Sequence, residues 1–200
     1  MNRAPIHNYW QHEFNDPAPG SQQTFRAVFT AMDHPGQLFS IRQDPYAPAI
    51  FNSASAAICL TLLDFETPVW TDIDWQSPAI SWLQFGCNSS IVTEPCMANF
   101  VIVTEPGTMP DLEYFRVGRY EYPENATTML VQVDDILPGV EDRNSRIMVG
   151  ELSQLEFKGV PDNFWHQWQQ LSRMYSFGLD IFFTCEDVLT ALPQTKPTEN

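Results

Sequence analysis

The sequence predicts an α/β layered domain built on a mixed β-sheet, and three observations carry that reading. Segments with apolar residues at helical spacing alternate with short β-type runs along the whole chain. One of those runs, "ANFVIVT" (98–104), is apolar almost throughout, the pattern of a strand covered on both faces. No repeat and no internal linker divides the 200 residues, a length that suits one domain with a core of its own.

The elements follow in order. Residues 1–20 are polar with three prolines and read as an arm, 21–193 as the single domain, and 194–200 as a polar tail. Ser21 is placed to cap a helix whose Phe25, Val28, Phe29 and Met32 recur at i, i+3, i+4, i+7. His34 precedes a proline and is pushed out of the helical region, and Gly36 supplies the positive φ of a reversing turn before the strand "QLFSI". Ser53 or Ser55 caps a small-residue helix to about Leu63, and Thr67–Trp70 begins a strand. "SPAISWLQFG" is a helix with Ser77 as cap, Pro78 in first position and Gly86 as stop. After 98–104 come a short helix in "TMPDLEYFRVG", a strand over 127–136, and strand candidates "RIMVGEL" and "LEFKGV". Asp162 caps the last helix, with Phe164, Trp168, Leu171 and Tyr175 as its apolar stripe, and "GLDIFFT" and "VLTAL" end the domain as strands.

Composition excludes several classes of function. Twenty-five acidic against 10 basic residues leave a net charge of −15, a field that repels phosphate backbones and anionic lipid. No apolar run approaches the roughly 20 residues of a membrane span, and "MNRAPIHNYWQHEF" has no apolar signal region. Cys59, Cys87, Cys96 and Cys185 lack metal or disulfide spacing and read as reduced thiols of a cytoplasmic protein. In that setting the glycosylation sequons at Asn88 and Asn125 carry no meaning.

The chain contains no glycine-rich dinucleotide fingerprint, P-loop, zinc-protease helix or serine nucleophile elbow. Its four histidines are scattered, and His12-Glu13 reads as part of a solvated arm. His34 is a solvated turn residue rather than a catalyst. Of the two lysines, Lys158 and Lys196, only Lys158 is a candidate for a Schiff base. Asp180 stands out because it interrupts the apolar "FGLDIFFT"; an acid there is paired, or sits at a strand end near a cleft. Cys185 has no basic neighbour in sequence that would make it a thiolate.

Several segments together resemble one family, PhnH, the H subunit of the bacterial carbon–phosphorus lyase core complex. "FRAVFTAMDHPG" is similar to that family's F-R-x-x-x-x-A-M-x-x-P-G, and "LTLLDFETPVW" to its L-T-L-x-D-x-x-T-P-V-W. "ATTMLVQV" resembles its central strand, and "FGLDIFFTC" with "LTALPQT" its C-terminal motifs, all in family order from about residue 22 to 195. The chain departs from the family at Gly86 and Cys87, where a His-Thr pair is usual, at Gln194, where an arginine is usual, and at "KGVP".

The resemblance implies a three-layer α/β/α domain, similar in outline to pyridoxal-phosphate transferases but without the cofactor. It implies a homodimer inside a complex with G, I and J subunits, which uses ATP and Mg to displace adenine with an alkylphosphonate. No metal is implied for this chain itself. Pro35, Gly36, Pro68, Trp70 and Gly178 fall on motif positions as structural residues. Arg26, in the matched motif, is expected to pair with Asp64 or Asp180, or to reach a phosphate. Two functions follow: a structural or regulatory subunit inactive alone, or a ligand-binding or catalytic homodimer whose interface cleft forms near Arg26, Thr67 and Asp180.

Overall fold

A computed structural model describes residues 17–42, 45–118, 126–138, 155–175 and 178–193. Seven strands form one sheet in the order β1-β9-β8-β5-β4-β2-β3. They are β1 (Phe39–Ser40), β2 (Pro68–Thr71), β3 (Ser90–Ile91), β4 (Phe100–Val103), β5 (Thr128–Gln132), β8 (Asp180–Cys185) and β9 (Val188–Leu192). Strands β3, β2, β4, β5 and β8 run parallel, and β9 turns back antiparallel to both β8 and β1, so the sheet is mixed. A separate antiparallel pair, β6 (Asp135–Pro138) and β7 (Leu155–Lys158), extends beyond β5.

Alternation along the central strands sorts their side chains onto two faces. Phe100, Ile102, Leu130, Phe182, Leu189 and Ala191 meet α1 (Pro17–Asp33), α2 (Ser53–Leu62) and α3 (Pro78–Ser81) in one core. Val101, Val103, Met129, Val131, Ile181 and Phe183 meet α4 (Phe164–Met174) and the β6–β7 pair in the other. This is the expected α/β domain, with helices on both faces of the sheet. No helix among the described residues is long and apolar enough to cross a membrane.

Several boundaries differ from expectation, each for a local reason. Helix α1 begins at Pro17, four residues before Ser21, because a proline in the first turn gives up no bonded N–H. It buries Thr24, Val28 and Ala31, while Phe25 and Phe29 of the expected stripe are 55% and 60% exposed. Small residues let the helix lie close to the sheet and rotate its rings outward. Asn52, not a serine, caps α2, its side chain accepting from the Ser55 N–H at 2.8 Å. The Ser77 cap and Pro78 start of α3 are as expected, but the chain then winds into a wider turn, Trp82–Gly86, closed by the Cys87 N–H on the Trp82 carbonyl.

Pro106 and Pro110 limit the expected helix near 112 to short 3₁₀ turns at Pro106–Thr108 and Leu112–Tyr114. The expected strand over 127–136 is divided between β5 and β6, and the break lies where Asp134 meets Gly159, which holds φ at +90°. Helix α4 starts at Phe164 after Asn163, one residue beyond the expected Asp162 cap; its stripe is buried except for Tyr175. The strand candidate "RIMVGEL", most of the arm and the tail from 194 lie outside the described residues.

Candidate functional site

The parallel strands give the sheet an amino edge and a carboxyl edge, and the sequence-derived candidates fall mainly on the first. The loop between α2 and β2 is tied by Asp64, whose Oδ1 accepts from the Thr67 hydroxyl at 2.7 Å and the Glu66 N–H at 3.0 Å. Asp64 and Thr67 are therefore brought together as a turn. Asp180 opens β8 half-buried, level with Thr128, Phe100 and Val69 on the neighbouring strands. Three strand spacings, roughly 14 Å, separate it from β2. Arg26 is exposed on α1 and forms no ion pair among the described residues.

The motif residues have mechanical roles. Gly36 turns the chain at φ +87°, with Pro35 before it. His34 is exposed, and its Nδ1 lies 3.1 Å from the Thr30 carbonyl, as a helix-end turn residue should. Pro68 opens β2 and accepts the Asn99 N–H, Trp70 packs edge-on against Phe115 at 5.6 Å, and Gly178 is buried before β8. Gly86 lies under the Trp82 ring, where an added Cβ would come within 3.2 Å of Cδ1. The departure at this position thus accompanies a tryptophan folded onto the backbone, its indole ring 5.0 Å from Phe51.

The carboxyl edge holds what the sequence reading missed. After β2 the chain continues into α3 on one face of the sheet; after β4 it continues into the turns around Leu112 on the other. Such a divergence is the topological switch point at which open α/β sheets leave a ligand crevice. Here Asp72, directly after β2, reaches across it. Its Oδ2 accepts the N–H groups of Thr104 and Glu105 at 2.9 and 2.8 Å, and its Oδ1 accepts the Thr104 hydroxyl at 3.0 Å. The backbone donors that would face an anionic ligand are satisfied from within the chain. The signal in the sequence is an acid immediately following an apolar strand, "PVWTD", the same kind of signal that drew attention to Asp180.

A second polar assembly sits farther along this edge. Gln132, at the end of β5, accepts from the Asn52 N–H at 2.7 Å and donates to the Ile50 carbonyl at 2.8 Å. Ser55 and Thr184 hydroxyls lie 2.7 Å apart, and Asn52 donates to Thr184 at 3.3 Å. The Ala54 N–H and the Ser53 hydroxyl both bond the Glu186 carbonyl. The start of α2 is consequently occupied by the β8–β9 turn.

The thiols of Cys59, Cys87 and Cys185 are all pushed toward the protonated form. Burial, followed by Asp135, Glu186 and Asp134, pushes the Cys185 thiol above its ordinary value. Burial pushes Cys59 and Cys87 up as well. Lys158 is exposed on β7 and bridged to Glu156, which raises its pKa. Among the described residues no group of three or more His, Cys, Asp and Glu side chains converges on a metal position. Gln23, Thr24, Ser40, Ile41 and Arg42 line a shallow cleft of about 170 Å³, smaller than an ordinary small-molecule site. Iodoacetamide at pH 8 is expected to label exposed Cys96 first, Cys185 slowly, and Cys59 and Cys87 only on unfolding, as read by peptide mass spectrometry. Labelling of Cys185 ahead of Cys96 would reveal an activated thiol and contradict this geometry.

Fold and edge together define an α/β domain of the open-sheet kind, with the crevice at its switch point closed by its own carboxylate. A family model described as bacterial phosphonate metabolism protein (PhnH) matches residues 12–199, and the chain belongs to that family. A relative from Rhizobium meliloti (strain 1021), alpha-D-ribose 1-methylphosphonate 5-triphosphate synthase subunit PhnH, is 28% identical over 194 residues, covering 93% of this chain and 94% of its own.

Proposed function

We propose that this chain is the H subunit of a carbon–phosphorus lyase core complex and serves phosphonate catabolism in the cytoplasm. In that complex an alkylphosphonate displaces adenine from ATP. The observation that carries the reading is the near full-length match to a family whose relative is named as a synthase subunit. The reading makes the chain a structural or regulatory member, a homodimer that binds G, I and J subunits and has no activity alone. Two features support that division of labour. The switch-point donors are held by Asp72, and a net charge of −15 opposes unaided binding of a triphosphate. ATP and Mg then act on the other chains, and this chain binds no pyridoxal phosphate.

The test is co-expression of the tagged chain with the G, I and J subunits of its own organism. Stoichiometric recovery of all four is expected, with synthase activity in the complex and none in the chain alone. A chain that ignores those partners overturns the subunit reading. Turnover by the isolated chain would instead favour a catalytic homodimer with a cleft near Arg26, Thr67 and Asp180.

A further inference from the structure

We propose that a second copy of this chain docks on the outer face of α1, with a two-fold axis crossing the helix between Phe29 and Thr30. The inference rests on the homodimer reading above for the existence of a second copy; it does not depend on the phosphonate complex. Helix α1 has one face packed on the domain through Thr24, Val28 and Ala31. Its other face presents Phe25 and Phe29 one turn apart, 55% and 60% exposed, with Arg26 and Asp33 exposed beside them. Two phenylalanines so exposed on one helix form an apolar strip of the kind that marks an interface.

Charge chooses the occupant. Two chains of −15 repel one another, so they approach only where the surface is locally neutral. Across the described part of α1 the only charged residues are Arg26 and Asp33, one of each sign. They lie seven residues apart, two helical turns on the same face and about 10.5 Å along the axis. A two-fold interface is self-complementary: whatever residue i meets on j, j meets on i. Laying a second α1 antiparallel, with Arg26 opposite Asp33 of the other copy, forms that ion pair twice. The same register sets the two Phe29 rings against each other at the axis and brings Phe25 to His34 of the other copy. One register therefore satisfies both charges and covers both rings.

Light scattering on the purified full chain, after size exclusion, tests this. The wild type is expected at twice 22.9 kDa. Phe29→Glu places a carboxylate on the axis and is expected to raise the dimer Kd about 30-fold or more. Arg26→Glu and Asp33→Arg are each expected to dissociate the dimer. An equimolar mixture of those two variants is expected to restore it as a heterodimer, because each pair is then again one of opposite charge. All three substitutions are at exposed positions, and circular dichroism checks that the fold is kept. A dimer that survives every variant overturns the α1 face while leaving a homodimer through another surface. A monomeric wild type overturns both. Monomeric single variants that fail to recombine overturn the register.

Discussion

Phe183→Ala is expected to lower the free energy of unfolding by about 3–5 kcal/mol. Phe183 is fully buried on β8 and faces the core beneath α4. Its ring lies 4.3 Å from Phe157, 5.8 Å from Phe164 and 6.0 Å from Trp165. These partners come from β7 and α4, so one ring joins the central sheet to both. Truncation leaves a cavity among rigid aromatic groups that cannot collapse to fill it. Phe183→Leu keeps most of the volume and is expected to cost less than about 2 kcal/mol. Urea denaturation with an unchanged slope checks both substitutions. A loss below about 1 kcal/mol for the alanine would mean that α4 and β7 do not close on β8 as described.

Asp72→Ala is expected to cost about 2–4 kcal/mol, from three hydrogen bonds to a half-buried carboxylate and the donors left behind. Asp72→Asn keeps the shape and one acceptor oxygen, so roughly half of that loss is expected. The two variants separate geometry from charge, and urea midpoints read the difference. Equal losses would assign the whole effect to the charge. No measurable loss in either would mean that β2 and β4 are not joined through this side chain.

The parts of the fold legible in the sequence were those in which one interaction dominates. "ANFVIVT" and "GLDIFFT" are apolar beyond any alternation, and the first lies centrally as β4 while the second becomes β8 beside β5. Ser77 and Pro78 announce α3 because cap and first-turn preferences are local. The face of α1 was not legible: a spacing rule chooses the larger side chains, whereas packing buried Thr24, Val28 and Ala31 and left Phe25 and Phe29 outside. The division of 127–136 depends on Asp134 meeting a glycine some 25 positions later, which no local pattern holds. The Asp72 bridge escaped for the same reason, since its partners are 32 and 33 residues away.

The turn joining β8 and β9 holds more than the two strands it connects. The Asp187 carbonyl takes the Ile41 N–H at 2.7 Å, its carboxylate takes the Ser40 hydroxyl at 2.6 Å, and the Glu186 carbonyl takes the Ala54 N–H at 2.9 Å. Among the described residues, strand β1 pairs with β9 alone. A chain emerging from the ribosome makes residues 39–55 early, yet it lacks every one of these partners until residues near 190 have been synthesised. The donors on Ser40 and Ser53 must therefore wait for partners 147 and 133 residues further along the chain. Long-range closure of this kind slows folding and lengthens the exposure of apolar segments such as α2 to other chains.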